Sequence, residues 1–179
     1  MDLAIQQSCE GKAGSTPASP RFVDLIVVHC SATPNGRTVT TQQIEQWHNA
    51  RGFKGVGYHY VITLDGVIHA TRPEDEIGAH ALHYNAHSIG ICMVGGTGGR
   101  DRRNPGSYTR DQWTSLAALV VSLRSRYPEA DICGHRDLSP DLDGDGQVEP
   151  HEWIKICPAF DVTEWLSSGM VPRSIYVTE

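Results

Sequence analysis

The sequence predicts a single α/β domain with a central mixed β-sheet flanked by helices. Three observations carry that expectation. Strand-length apolar runs at 23–30 and 89–94 read as buried central strands. Helical patterns at 40–51 and after Thr109 are interleaved with those runs, the arrangement that covers a sheet on its faces. The 179 residues are 39% hydrophobic and 20% charged, an ordinary globular composition in a chain long enough to bury one core.

Residues 1–20 come first. Their second half is rich in Gly, Ser, Pro and Ala, and they lack the basic start and apolar middle of a signal peptide. They read as a flexible N-terminal tail on a chain made in the cytoplasm without a secretion address of its own. The domain is expected over 21–168 and a C-terminal tail over 169–179. After the 23–30 strand, a helix over 40–51 is capped by Thr41, shares Ile44, Trp47 and His48 on one face, and stops at Gly52. Residues 58–64, the Asp65-Gly66 turn and 67–71 have a hairpin signature. The strand at 89–94 stops at Gly95-Gly96, and a polar loop leads to Thr109. Thr109 and Gln112 form a capping box. Behind it Trp113, Leu116, Val120, Leu123 and Tyr127 line one helical face. A short strand at 131–134 delivers His135, and Phe160-Asp161 opens a last helix carrying Val162 and Trp165.

Charge and composition exclude several classes. A net charge of −6 and a pI near 5.8 argue against nucleic acid as a partner, which calls for a basic surface. No apolar run approaches the ~18 residues of a membrane span. Five cysteines, an odd number, do not suggest a disulfide framework. Cys30, Cys92 and Cys133 sit in or beside apolar runs, where a thiol packs as a small hydrophobe. Cys157 stands apart, in a loop after Lys155 and before Pro158.

Cys157 and His135 offer one thiolate and one imidazole, both good zinc donors. A catalytic zinc usually takes three protein ligands. His29, at the end of the first apolar run, is a rigidly held candidate for the third. His59, His69, His80, His83 and His87 compete with it on residue type alone. His59 follows Tyr58 on a strand, so the two are expected on opposite sheet faces, with His59 in the core or behind the site.

Four ordered blocks add a resemblance: His-Cys-Ser-Ala-Thr at 29–33, Val-Gly-Tyr-His-Tyr-Val-Ile at 56–62, Ser-Ile-Gly-Ile-Cys-Met-Val-Gly-Gly at 88–96, and Cys-Pro-Ala-Phe-Asp at 157–161. From about residue 25 to 165 the chain resembles the type 2 N-acetylmuramoyl-L-alanine amidases, a family that includes amidase-type phage lysozymes and animal peptidoglycan recognition proteins. The resemblance implies zinc-dependent hydrolysis of the amide between N-acetylmuramic acid and L-alanine. Position by position it implies His29, His135 and Cys157 as zinc ligands, and Tyr58 and Lys155 as catalytic neighbours. It implies His80, Tyr84 and Asn85 as contacts to a peptidoglycan or muropeptide substrate. The enzyme would act on the bacterial cell wall after release or export. The alternatives are a non-catalytic peptidoglycan-binding module, against which the retained Cys157 speaks, and a regulator of a phage RNA polymerase, for which no motif is present.

One segment departs from the simplest phage enzymes. The stretch 141–152 fits the calcium-loop pattern D-x-[DN]-x-[DN]-G-x₅-E. It offers Asp141, Asp143, Asp145, Gln147 (through its carbonyl) and Glu152 as ligands for a structural Ca2+. Pro140 just before it excludes the usual entering helix.

Overall fold

The computed structural model describes residues 21–97 and 107–178. The expected N-terminal tail and most of the polar loop before Thr109 lie outside the described residues. In chain order, β1 (Leu25–Cys30) and β2 (Thr33–Pro34) precede helix α1 (Thr41–Asn49). The hairpin β3 (Tyr60–Ile62) and β4 (Ile68–Ala70) leads through an irregular segment to β5 (Ser88–Met93). Then follow β6 (Gly96–Thr97), β7 (Tyr108–Thr109), helix α2 (Arg110–Arg126) and β8 (Asp131–Gly134). Helix α3 (Val162–Ser167) and β9 (Val177–Thr178) complete the described chain.

The main sheet has the order β4-β3-β5-β1-β8. Pairs β3/β5, β5/β1 and β1/β8 are parallel and β3/β4 is antiparallel, so the sheet is mixed. Strand β1 is central, and Ile26 to Val28 are fully buried, which is why it reads as a continuous apolar run rather than an alternating one. Alternation nonetheless sorts its side chains. Ile26, Val28 and Cys30 join Ile89, Ile91 and Met93 in the larger core, beneath Trp113, Leu116, Val120 and Leu123 of α2. Val61 and Cys92 join Ile44 of α1 in a smaller core on the other face.

The helix termini follow local chemistry. Thr109 and Gln112 cap α2 reciprocally. Asp161 caps α3, accepting from the Glu164 N–H. At α1 the cap is Thr40, whose hydroxyl pairs with Gln43 in a capping box, not the expected Thr41. Thr40 is the residue with extended backbone geometry, and a cap must lie just outside the helix.

Two further expectations change. Tyr58 and His59 do not part to opposite faces: their rings lie 6.4 and 5.7 Å from that of His80. Residues 57–59 form a bend, and the regular pleat begins only at Tyr60, so the alternation rule does not yet apply. Residues 169–178, expected as a tail, run along the core. Val177 and Thr178 pair with Tyr108 and Thr109, and the Trp113 indole N–H donates to the Tyr176 carbonyl at 3.1 Å. Tyr176 also closes an aromatic cluster with Phe160, Trp113 and Trp165.

Candidate active site and metal centre

His29, His135 and Cys157 converge, their donor atoms all within 4.8 Å of one another. His29 comes from β1, is 1% exposed and is paired in register with Cys92 of β5. His135 opens a short 3₁₀ turn, His135–Leu138, directly after β8. That turn is pinned by Asp137, whose carboxylate accepts the Gly134 N–H at 2.8 Å. Cys157 is buried, and its sulfur accepts the Cys30 N–H at 3.2 Å. Its carbonyl accepts the Arg136 N–H at 2.7 Å, which ties the segment carrying Cys157 to the one carrying His135.

These donors suit zinc. His29 Nδ1 lies 3.8 Å from Cys157 Sγ, near the ~3.5 Å separation that a tetrahedral ion with bonds of ~2.1 Å to nitrogen and ~2.3 Å to sulfur imposes. Burial lowers the pKa of His135 to about 4 and that of His29 well below the usual value, with Lys155 adding repulsion to both. Both imidazoles are therefore neutral at physiological pH, with lone pairs free for a metal. The contact with the Cys30 thiol, together with burial, pushes Cys157 up. Metal binding there must release a proton.

The ligand cluster opens on a groove of about 910 Å³. One wall carries His135, Leu138, Pro140, Ile154 and Lys155, and the facing wall carries Phe53 and residues 79–85. Lys155 is exposed. Tyr58 is half-buried beside the cluster, its ring 5.2 Å from His29 and 5.3 Å from His48. Burial raises its pKa well above the usual phenol value, so it remains a neutral hydrogen-bond donor.

The expected substrate contacts sort unevenly. Tyr84 lines the groove and is half-buried. Asn85 directs its side-chain oxygen into its own loop, accepting the His80 and Ala81 N–H groups at 2.8 and 2.9 Å. Only its amide nitrogen is left for the groove. His80 touches the groove but turns its ring inward, with Nδ1 3.0 Å from His29 Nε2.

Arg21 does more than the sequence suggests. Its guanidinium donates to the carbonyls of Glu74, Asn85, Ala86 and Ser88, pinning the segment that carries His80. The glycines at 78 and 90 were also silent in the sequence reading. A glycine inside the otherwise apolar β5 is a signal of close approach, and it could have pointed to the His80 ring beside it.

In the 141–152 loop, Asp141, Asp143 and Glu152 bring carboxylate oxygens within 4.8 Å of one another. Asp145 is not in that cluster: its carboxylate accepts the Gln147 N–H at 2.8 Å. Glu152 is 3% exposed and accepts the Leu142 and Glu149 N–H groups at 2.6 and 2.9 Å. Asp141 accepts from Gly144 and Gly146 at 2.6 and 2.8 Å. Both glycines have positive φ, 77° and 88°, which a side chain would strain.

Residues 19–152 match the family described as N-acetylmuramoyl-L-alanine amidase. An uncharacterized Haemophilus influenzae protein is 51% identical over 108 residues, 60% of this chain and 92% of that protein. The endolysin of Escherichia phage T7 is 37% identical over 142 residues, 79% of this chain and 84% of the phage protein. Among solved structures, the N-acetylmuramoyl-L-alanine amidase LysC from Clostridium intestinale superposes with a TM-score of 0.64 at 31% identity. That alignment covers 87% of this chain and 92% of that one. Drosophila PGRP-LB, at 22% identity and a TM-score of 0.61 over 84% of this chain and 83% of its own, shares the fold. On the family match and these relatives, the chain belongs to the N-acetylmuramoyl-L-alanine amidase family.

Proposed function

We propose that the chain is a zinc hydrolase of peptidoglycan that cuts the amide between N-acetylmuramic acid and L-alanine. The observation that carries this reading is the convergence of His29, His135 and Cys157 at a groove whose wall carries Lys155. The phage endolysin relatives support the substrate. Zinc, when bound, supplies Lewis acidity to a water or a carbonyl near neutral pH. The protein's own groups supply the rest. Neutral His29 and His135 and the Cys157 sulfur would hold the ion. The Lys155 ammonium stands at the groove, where a positive charge stabilises the oxyanion of a tetrahedral intermediate. Tyr58 offers a second, uncharged donor beside His29. The peptide stem would lie along the groove against Tyr84 and the Asn85 amide. For the 141–152 loop the proposal is a structural calcium site on Asp141, Asp143 and Glu152, completed by Asp145 and the Gln147 carbonyl as the loop closes. It orders the segment leading to Lys155 and Cys157.

The test is a cell-wall digest. Free L-alanine amino termini should be released without new reducing sugar ends, and activity should vanish with a strong chelator and return with added zinc. New reducing ends would mean a glycosidase and overturn the reading. Binding of muropeptides with no cleavage at all would favour the recognition-module alternative.

A further inference from the structure

The His29 ring is held from behind. Its Nδ1 is the nitrogen facing Cys157 Sγ, at 3.8 Å, and its Nε2 lies 3.0 Å from Nδ1 of His80. A neutral imidazole carries one proton, so a hydrogen bond between two rings must run from an N–H of one to a lone pair of the other. A metal on His29 Nδ1 needs the lone pair there. The proton then sits on Nε2, and His80 Nδ1 is the acceptor.

The space around His80 is made for that ring. A β-carbon on Gly78 would stand 2.5 Å from His80 Cδ2, and one on Gly90 would stand 2.6 Å from it. Gly90 pairs with Val27 on β1, two residues before His29, so the bare patch of sheet lies beside the ligand. The His80 backbone N–H donates to the Asn85 side-chain oxygen at 2.8 Å. Arg21 in turn grips the Asn85 and Ala86 carbonyls at 3.2 and 3.0 Å. Ring position and backbone position are thus set by separate contacts.

We propose, on the basis of the zinc reading above, that His80 is a positioning residue of the metal centre. It accepts the His29 Nε2 proton and so fixes the tautomer and ring plane that present Nδ1 to the metal. To the role expected from the sequence, direct substrate contact, this adds one exerted through His29.

The test measures zinc affinity of the full chain by competition with a chromogenic chelator, for the parent, His80→Phe and His80→Asn. Phenylalanine fills the slot but removes the acceptor, and zinc should bind about 10–100-fold more weakly, the usual effect of losing such a partner. Asparagine places an amide oxygen close to the original Nδ1 and should recover most of that loss. With cobalt in place of zinc, the visible absorption bands should change in His80→Phe and stay parental in His80→Asn, which a merely space-filling role would not produce. Parental affinity and spectrum in His80→Phe would overturn the proposal. A measurement on the unsubstituted protein guards against a variant that does not fold. Long-range proton–nitrogen NMR correlations of the metal-free chain at pH 7 should show His29 protonated on Nε2, and a proton on Nδ1 would overturn the assignment. A parent that takes up no zinc overturns the metal reading itself, a result distinct from a zinc-binding His80→Phe of parental affinity.

Discussion

His29 and Cys157 face each other at 3.8 Å, yet the two walls that carry them are built by different means. His29 stands on the central strand, hydrogen-bonded in register to β5 on one side, with β8 along its preceding residues on the other. Its neighbours Ile26, Val27 and Val28 are fully buried. Lys155 and Cys157 follow a segment whose order rests on carboxylates accepting nearby backbone N–H groups. Leu142, Ile154 and Lys155 there are exposed. A ligand on a buried strand is fixed by the packing of the whole sheet. The acidic, glycine-rich segment that leads to Cys157 is instead ordered by a few short contacts that respond to charge, before Cys157 itself is buried against β1.

The sharpest challenge to that comparison is at the shared point. Cys157→Ser should abolish hydrolysis and zinc uptake while leaving the fold, since a hydroxyl is a far poorer zinc donor than a thiolate. Circular dichroism with metal analysis separates the two effects, and an active serine variant would remove Cys157 from the site. Next is Lys155→Ala, expected to lower turnover by roughly 10²–10³-fold, as loss of an oxyanion donor does, with zinc content unchanged. Loss of zinc in that variant would make Lys155 part of the wall's structure instead.

The strand side can be loosened by acid. His59 is fully buried; its Nδ1 accepts the Gly90 N–H at 3.0 Å, and burial lowers its pKa from 6.5 to about 4. Its folded-state pKa lies below the unfolded one, so its contribution is complete above pH 6.5 and is lost as the pH falls towards 4. A shift of that size corresponds to ~3 kcal/mol. Urea unfolding of the metal-free protein at pH 7.5 and 4.5 should show the drop, and it should be smaller in His59→Gln. An equal drop in both proteins would assign the acid sensitivity to other groups.

The loop side should answer to calcium. Binding only the folded state at a hundred times Kd contributes ~2.7 kcal/mol. Millimolar calcium at constant zinc should therefore raise the melting temperature of the parent. It should not raise that of Asp141→Ala/Asp145→Ala, and magnesium should substitute poorly because it tolerates such flexible coordination badly. Parallel melting of parent and double variant would reduce 141–152 to an acidic turn.

The sequence showed the strand side and the loop side with different clarity. The strand β1, the Thr109–Gln112 box and the strand that delivers His135 depend on neighbouring residues and are legible as short patterns. Thr40 displaced Thr41 as a cap because one residue of extended backbone decides where a helix begins. The inward turn of His80 was hidden because it depends on His29, 51 residues away, and on the missing side chains of two glycines. The docking of residues 174–178 was hidden for the same reason: no local pattern announces a partner at Trp113 or Tyr108.

The centre also has a position in time. Its donors at His29 and Cys157 are separated by 128 residues, and the Trp113–Tyr176 bond, which closes later still, spans 63. A chain emerging from a ribosome at about 5–20 residues per second holds His29 for several seconds before either other donor exists. Through that interval it has one of the three ligands, no groove and no closed aromatic cluster. Catalytic competence therefore arrives abruptly, once Cys157 has joined His29 and His135, and chains terminated before Cys157 are silent.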